Sequence, residues 1–206
     1  MQAYASGVSD PVGLARLPAE LAAAVDASAS ALAACAAQLD AVLDRADDER
    51  LAAMTLHRAE CGRTTAELLA AVVASRRTGP DRSRLAELAR TADRTADAIA
   101  SVAWGWSRHP IPELADVLRA LRDATRAAAR SAASLEDEGG RLAWDTRCRE
   151  REAEARFLAR SARGELIAAQ DDVRLAAAAH DVLTYVSLWL AAVARLRAAV
   201  LRFSLE

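Results

Sequence analysis

The feature that most constrains this chain is a repeated alternation of four- and three-residue steps between its apolar positions. Between about residues 11 and 45, Leu21, Val25, Ser28, Leu32, Cys35, Leu39 and Val42 fall on that alternation. The spacing keeps one stripe of a helix turned to the same side over many turns, so it calls for a helix packed lengthwise against neighbours. Five further segments carry stripes of their own. Met54, His57, Cys61, Thr64, Leu68 and Val72 define the second, which runs to about Arg77. The "RADDER" stretch precedes it, with Asp47 placed as an N-cap before an acidic first turn. Leu85, Leu88, Ala92, Thr95, Ile99, Val102 and Trp106 define the third, between breaks at "TGPDRS" and "RHPIPE". Pro110 and Pro112 in the second break oppose helix continuation.

The fourth segment presents Leu114, Leu118, Leu121, Thr125, Ala128 and Leu135, and is predicted to stop before Gly139-Gly140. The fifth covers about 141 to 168 with a weaker, more charged seam. The sixth starts near Asp171 and carries Leu175, Val182, Val186, Trp189, Val193, Leu196, Val200 and Phe203. Short connections imply antiparallel neighbours. The third and sixth segments have equally regular seams and close their respective halves, so the halves read as diverged copies, about 11–108 and 112–206, of a single domain spanning 1–206. The expected fold is all-α: six long antiparallel helices in two consecutive three-helix units.

Composition agrees. Alanine, leucine and arginine dominate, and glycine and proline are few. There is no lysine or asparagine, so all 27 side-chain cations of the Lys/Arg class are arginine, as a GC-rich bacterial genome favours. The net charge is −2 and the signs alternate along the chain, which argues against a nucleic-acid binder with its clustered basic surface. Cys35, Cys61 and Cys148 are odd in number and form no CxxC pair, which fits reduced thiols in a cytoplasmic protein. The N-terminus lacks a signal-peptide pattern, and the longest charge-free run, Val182 to Ala194, is short for a membrane-spanning helix. A soluble cytoplasmic protein is expected.

Four groups of residues carry candidate chemistry. Asp93 and Asp97, in "RTADRTADAIA", are four apart and share a helix face; they read either as metal ligands or as a solvated face paired with Arg90 and Arg94. His57 and Cys61, also four apart, offer zinc-type donors or a buried histidine and thiol on an inward seam. Glu150, Glu152 and Glu154 alternate with Arg149, Arg151 and Arg156, the pattern of a salt-bridged surface, with Glu152 and Arg156 in the favourable orientation. Among the tryptophans, Trp106 and Trp189 fall on seams and Trp104 does not, so "WGW" at a helix end is a candidate contact surface. Leu183, Leu188 and Leu190 make the sixth helix more apolar than one seam requires, which suits a central helix or a docking face. No Glu-x-x-His pair of the ferritin-like kind occurs.

The chain resembles the PhoU-like family, and within it the branch that accompanies Pit-type phosphate transporters. The resemblance rests on "HRAECGRTTAELL", "TGPDRSRLAELARTADRTADAI", "REAEARFLARSARGELI" and the closing helix from 176 to 203. In that family each half carries paired acids that line a surface for metal clusters. Asp93, Asp97 and Glu152 match acidic positions of that pattern, as do the intermediate acids Glu60 and Glu154. Arg58, Gly62, Arg156, Leu183 and Ser187 replace five of the eight principal acids. Arginine at two of them repels a metal ion.

The resemblance implies a non-enzymatic accessory protein that binds, from the cytoplasmic side and at the inner face of the membrane, a Pit-type phosphate transporter or a regulatory protein of the phosphate response. On this reading the chain is a metal-poor variant acting by protein–protein binding, with Trp104 and Trp106 as candidate interface residues. One alternative retains a divalent or ferric metal ion (iron, zinc or magnesium) on Asp93, Asp97 and Glu152. Another is a helical module that forms homo-oligomers without any link to phosphate.

Overall fold

The computed structural model describes residues 18–75, 80–129, 138–168 and 173–204. Its elements are α1 (Ala19–Asp44), α2 (Asp48–Ala74), α3 (Pro80–Arg108), a 3-10 turn (Pro112–Leu114), α4 (Ala115–Ala129), α5 (Glu138–Ala168) and α6 (Val173–Ser204). The fold is all-α, as expected. Each stripe read from the sequence becomes a buried face. All seven predicted positions of α1 are buried, and so are all seven of α3. On α2, Met54, Cys61, Thr64, Leu68 and Val72 are buried, while His57 is half-buried. On α6, Val182, Val186, Trp189, Val193 and Leu196 are buried and Val200 is half-buried. Leu135 and the start of the first segment lie outside the described residues, as do the side chains of Leu175 and Phe203.

Helix starts follow local chemistry. Asp47 caps α2: its carboxylate accepts a hydrogen bond from the Arg50 backbone N–H at 3.0 Å, and this bond foremost holds its carboxyl below the ordinary aspartate value. Pro112 sits in the 3-10 turn that leads into α4. The fourth helix stops before Gly139, as expected, but α5 begins at Glu138 and not at about 141. Gly139 and Gly140 do not separate two helices; they lie in the first turn of α5. Glycine is costly in a helix interior, by about 1 kcal/mol, but here it enters a helix instead of interrupting one.

Helices α1, α2 and α3 pack on one another, as do α4, α5 and α6, and the two units meet chiefly through α3 against α6 and α1 against α4. An Asp40–Arg122 ion pair ties α1 to α4 across that junction. Gly105 faces α6, where a Cβ would make ordinary contact with Val182 Cγ2 at 3.4 Å. Two buried indole N–H groups find partners on α4. Trp189 Nε1 donates to Thr125 Oγ1 at 2.8 Å, and that hydroxyl donates to the Leu121 carbonyl at 2.8 Å. Trp144 Nε1 donates to the Ala127 carbonyl at 2.9 Å, joining α5 to α4.

Helix α6 touches α3, α4 and α5, and α3 is its most extensive neighbour. Leu183 and Leu190, the excess apolar residues, pack against the core, whereas Leu188 is exposed. By length and composition, α1 and the Ala179–Leu201 stretch of α6 are apolar enough to cross a membrane. Counting only the charge-free run understates α6, because alanines extend its apolar stretch past Asp181 and Arg195. In the fold both helices bury their stripes against other helices.

Candidate functional site

Asp93 and Asp97 share one face of α3, and a guanidinium from the neighbouring helix engages both. Arg58 Nη1 lies 2.8 Å from Asp93 Oδ1, and Arg58 Nε lies 2.5 Å from Asp97 Oδ1. The partner is therefore an arginine across the α2–α3 interface, not Arg90 or Arg94 on the same helix. Burial opposes the Arg58 charge, but the hydrogen bonds and attraction of Asp97 and Asp93 outweigh it and raise its pKa. Gly62, one turn on from Arg58, leaves the room: a Cβ at that position would stand 3.3 Å from Arg58 Nη1. Arg58 supplies the cation and Gly62 the space in which it folds over.

These residues do not fit a metal ion while Arg58 is seated. A hard cation needs several oxygen ligands and no competing positive charge. Here a guanidinium takes one oxygen of each carboxylate. Glu152, the third predicted ligand, belongs to α5 in the other unit. Among the described residues no three His, Cys, Asp or Glu side chains gather in a way that could hold a metal.

Glu152 belongs to a second arginine clamp. Arg197 of α6 places Nε 2.7 Å from Glu152 Oε1 and Nη1 2.6 Å from Asp145 Oδ1. Arg149 Nε adds a contact to Asp145 Oδ2 at 2.8 Å, and Arg156 Nη2 stands 3.6 Å from Glu152 Oε2. Glu152 is thus not part of a solvated charged surface; its side chain is only 4% exposed. Asp145 and Arg197 were not singled out by the sequence reading. A signal was present: Asp145, Cys148, Glu152 and Ala155 follow the three- and four-residue steps of a seam, so acids lie at core positions and need a buried cation. Burial, reinforced by Glu152, pushes the Cys148 thiol up to about 12.

His57 and Cys61 do not join the aspartates. Cys61 is buried beside Cys35, whose hydrogen bond is the main influence lowering the Cys61 pKa; the same contact, with burial, pushes Cys35 up. Cys35 Sγ also contacts Met54 Sδ at 3.8 Å. All three cysteines are free thiols.

The "WGW" stretch divides by face. Trp106 is 6% exposed and belongs to the core, so it presents no contact surface, whereas Trp104 is 44% exposed. Trp104 lines an α3–α6 groove of about 380 Å³ with Asp97, Arg108, His109, Asp181 and Tyr185. The groove has an aromatic pair and charges of both signs. It adjoins the Arg58 clamp through Asp97.

No family model matches the chain, and no curated protein matches it. Among solved structures, the chain is similar to a protein from Shewanella oneidensis MR-1 described as a PhoU-like phosphate regulatory protein. The identity is 14%, the TM-score is 0.63, and the match covers 88% of this chain and 99% of that one. At that identity the likeness speaks for the fold. The chain has the PhoU-like all-α architecture of two consecutive three-helix units.

Proposed function

We propose that the chain is a non-enzymatic PhoU-like accessory protein that acts by binding another protein, and that its partner is a Pit-type inorganic phosphate transporter or a regulator of the phosphate response. The observation that carries this reading is the α3–α6 groove, where Trp104 and Tyr185 stand exposed between Asp97, Asp181 and Arg108. Half-exposed aromatics rimmed by charges are the composition of a protein contact. The PhoU-like fold supplies the phosphate connection. Arg58 on Asp93 and Asp97 supports the metal-poor form of the reading over the one in which those aspartates ligate iron, zinc or magnesium.

The test is binding of the purified chain to a Pit-type transporter in nanodiscs, with phosphate uptake measured alongside. Trp104→Ala is expected to weaken binding at least tenfold while leaving the helical content unchanged. Equal binding by wild type and variant would remove the groove from the reading. Metal analysis of the wild type against an Asp93→Ala/Asp97→Ala double variant settles the metal question separately. Stoichiometric metal lost in the variant would replace the metal-poor form with the metal-binding one. A stable homodimer that ignores the transporter would favour the oligomerising module.

A further inference from the structure

A second groove, between α5 and α6, has a different chemistry. Its volume is about 460 Å³. One wall carries Arg156, Arg160 and Arg163, at four- and three-residue steps along α5; the other carries Leu183, Val186 and Leu190 of α6, with Ser187 among them. Three of these residues, Arg156, Leu183 and Ser187, stand at positions where the family resemblance expects acids. All three line this one concave surface, whose charged groups are the three arginines.

The balance of charge in the groove is uneven. Among the described residues, Arg160 and Arg163 have no carboxylate partner. Arg156 has only the 3.6 Å contact with Glu152, whose other oxygen is held by Arg197 at 2.7 Å. Three guanidiniums at these spacings on one helix face repel one another weakly, and an anion between them would relieve that repulsion. Their planar forks match the oxygens of a phosphate group, which accepts bidentate hydrogen bonds and carries up to two negative charges. The volume exceeds what a bare phosphate ion fills, and the leucine and valine wall offers an apolar surface opposite the cations. We propose that this groove binds a soluble phosphomonoester, with the phosphate on the α5 arginines and an apolar or flat organic group against Leu183, Val186 and Leu190. The concavity between two helices suits a free small molecule and not the plane of a membrane. The site shares no lining residue with the Trp104 groove, so this inference stands or falls independently of the transporter reading.

Isothermal titration of the purified chain at low salt, with phenyl phosphate and with inorganic phosphate as probes, tests it. One saturable site is expected for phenyl phosphate, with inorganic phosphate at least tenfold weaker. Arg160→Gln/Arg163→Gln should reduce phenyl phosphate binding at least tenfold; both side chains are exposed, so the bundle keeps its helical content, checked by circular dichroism. Arg160→Lys/Arg163→Lys should recover part of the loss, because charge returns without the fork. No saturable binding, or equal binding by the double glutamine variant, would overturn the site. Equal affinity for the two probes would overturn the role of the apolar wall. A sedimentation arm uses vesicles of phosphatidylcholine with and without phosphatidic acid: phosphatidic-acid-dependent binding without any phenyl phosphate binding would assign the arginines to a lipid surface and overturn the soluble ligand.

Discussion

The two arginine clamps do the same thing in different surroundings. In each, one guanidinium spans two carboxylates on an adjacent helix: Arg58 of α2 on Asp93 and Asp97 of α3, Arg197 of α6 on Asp145 and Glu152 of α5. The first lies at the surface, with Asp97 60% exposed. The second is enclosed, with Asp145 12% and Glu152 4% exposed. Water screens the first clamp and supports its charges when they separate. Around the second, little water replaces a lost partner, so its charges depend on one another. Equal geometry therefore does not mean equal consequence. The enclosed clamp is a structural lock, whereas the open one neutralises an acidic surface beside the Trp104 groove.

The sharpest way to break this comparison is to remove each cation in turn. Arg197→Met should destabilise the bundle by about 3 kcal/mol, the low end for a broken buried pair, because Asp145 keeps Arg149 while Glu152 is left with only the 3.6 Å contact to Arg156. Urea unfolding followed by circular dichroism measures it. A loss no larger than that of a surface pair would mean that water reaches Glu152. Replacing the whole clamp, as Arg197→Met/Asp145→Leu/Glu152→Met, separates the cost of breaking a pair from its net worth. The triple variant should recover most of the loss and could match the wild type, since apolar groups need no partner.

Arg58→Met should cost far less, about 0.2–1 kcal/mol. Its main effect is chemical: Asp93 and Asp97 lose the guanidinium that fills the space between them. Weak divalent-cation binding, followed by manganese relaxation, is expected to rise in the variant over the wild type. No rise would show that two carboxylates alone cannot attract a metal even when unmasked. Salt sharpens the contrast. Raising sodium chloride from 0.1 to about 1 M shortens the screening length from about 10 to 3 Å, so double-mutant coupling between Arg58 and Asp97 should fade while coupling between Arg197 and Glu152 persists.

The bundle was legible because a seam is a local property: Leu21 to Val42, or Leu85 to Trp106, fixes the buried face of its own helix without reference to any other. The clamps were not, because Arg58 meets Asp97 only through the register of α2 against α3. Sequence spacing offered Arg90 and Arg94 on the same helix as partners, and the cross-helix arginine took the aspartates. Glu152 was misplaced for a related reason. Its neighbours Glu150 and Glu154 are exposed, and the alternation of charge hid that Glu152 itself lies on a seam with Asp145 and Cys148. The division of "WGW" into a core Trp106 and an exposed Trp104 follows from helix periodicity alone, and only the groove beside Trp104 required the fold.

The smallest effect distinguishes the clamps through their neighbouring thiols. Cys61 lies near Arg58 and Cys148 lies between Asp145 and Glu152 in sequence. The hydrogen bond from Cys35 lowers the Cys61 pKa, whereas burial and then Glu152 push Cys148 from 9.0 up to about 12. A raised thiol pKa in the fold means that the native state holds a proton the unfolded chain releases. Its stabilising contribution is complete below the unfolded value and is lost as the pH climbs through the window from about 9 to about 12. Cys148→Ala should therefore flatten the alkaline decline in stability, measured by urea unfolding at several pH values. At pH 8, pulse labelling with a thiol reagent and mass spectrometry should find Cys61 modified before Cys148, because the thiolate reacts and only the first site favours it. The reverse order would mean that α5 opens more readily than α2, and that the enclosed clamp is the weaker of the two.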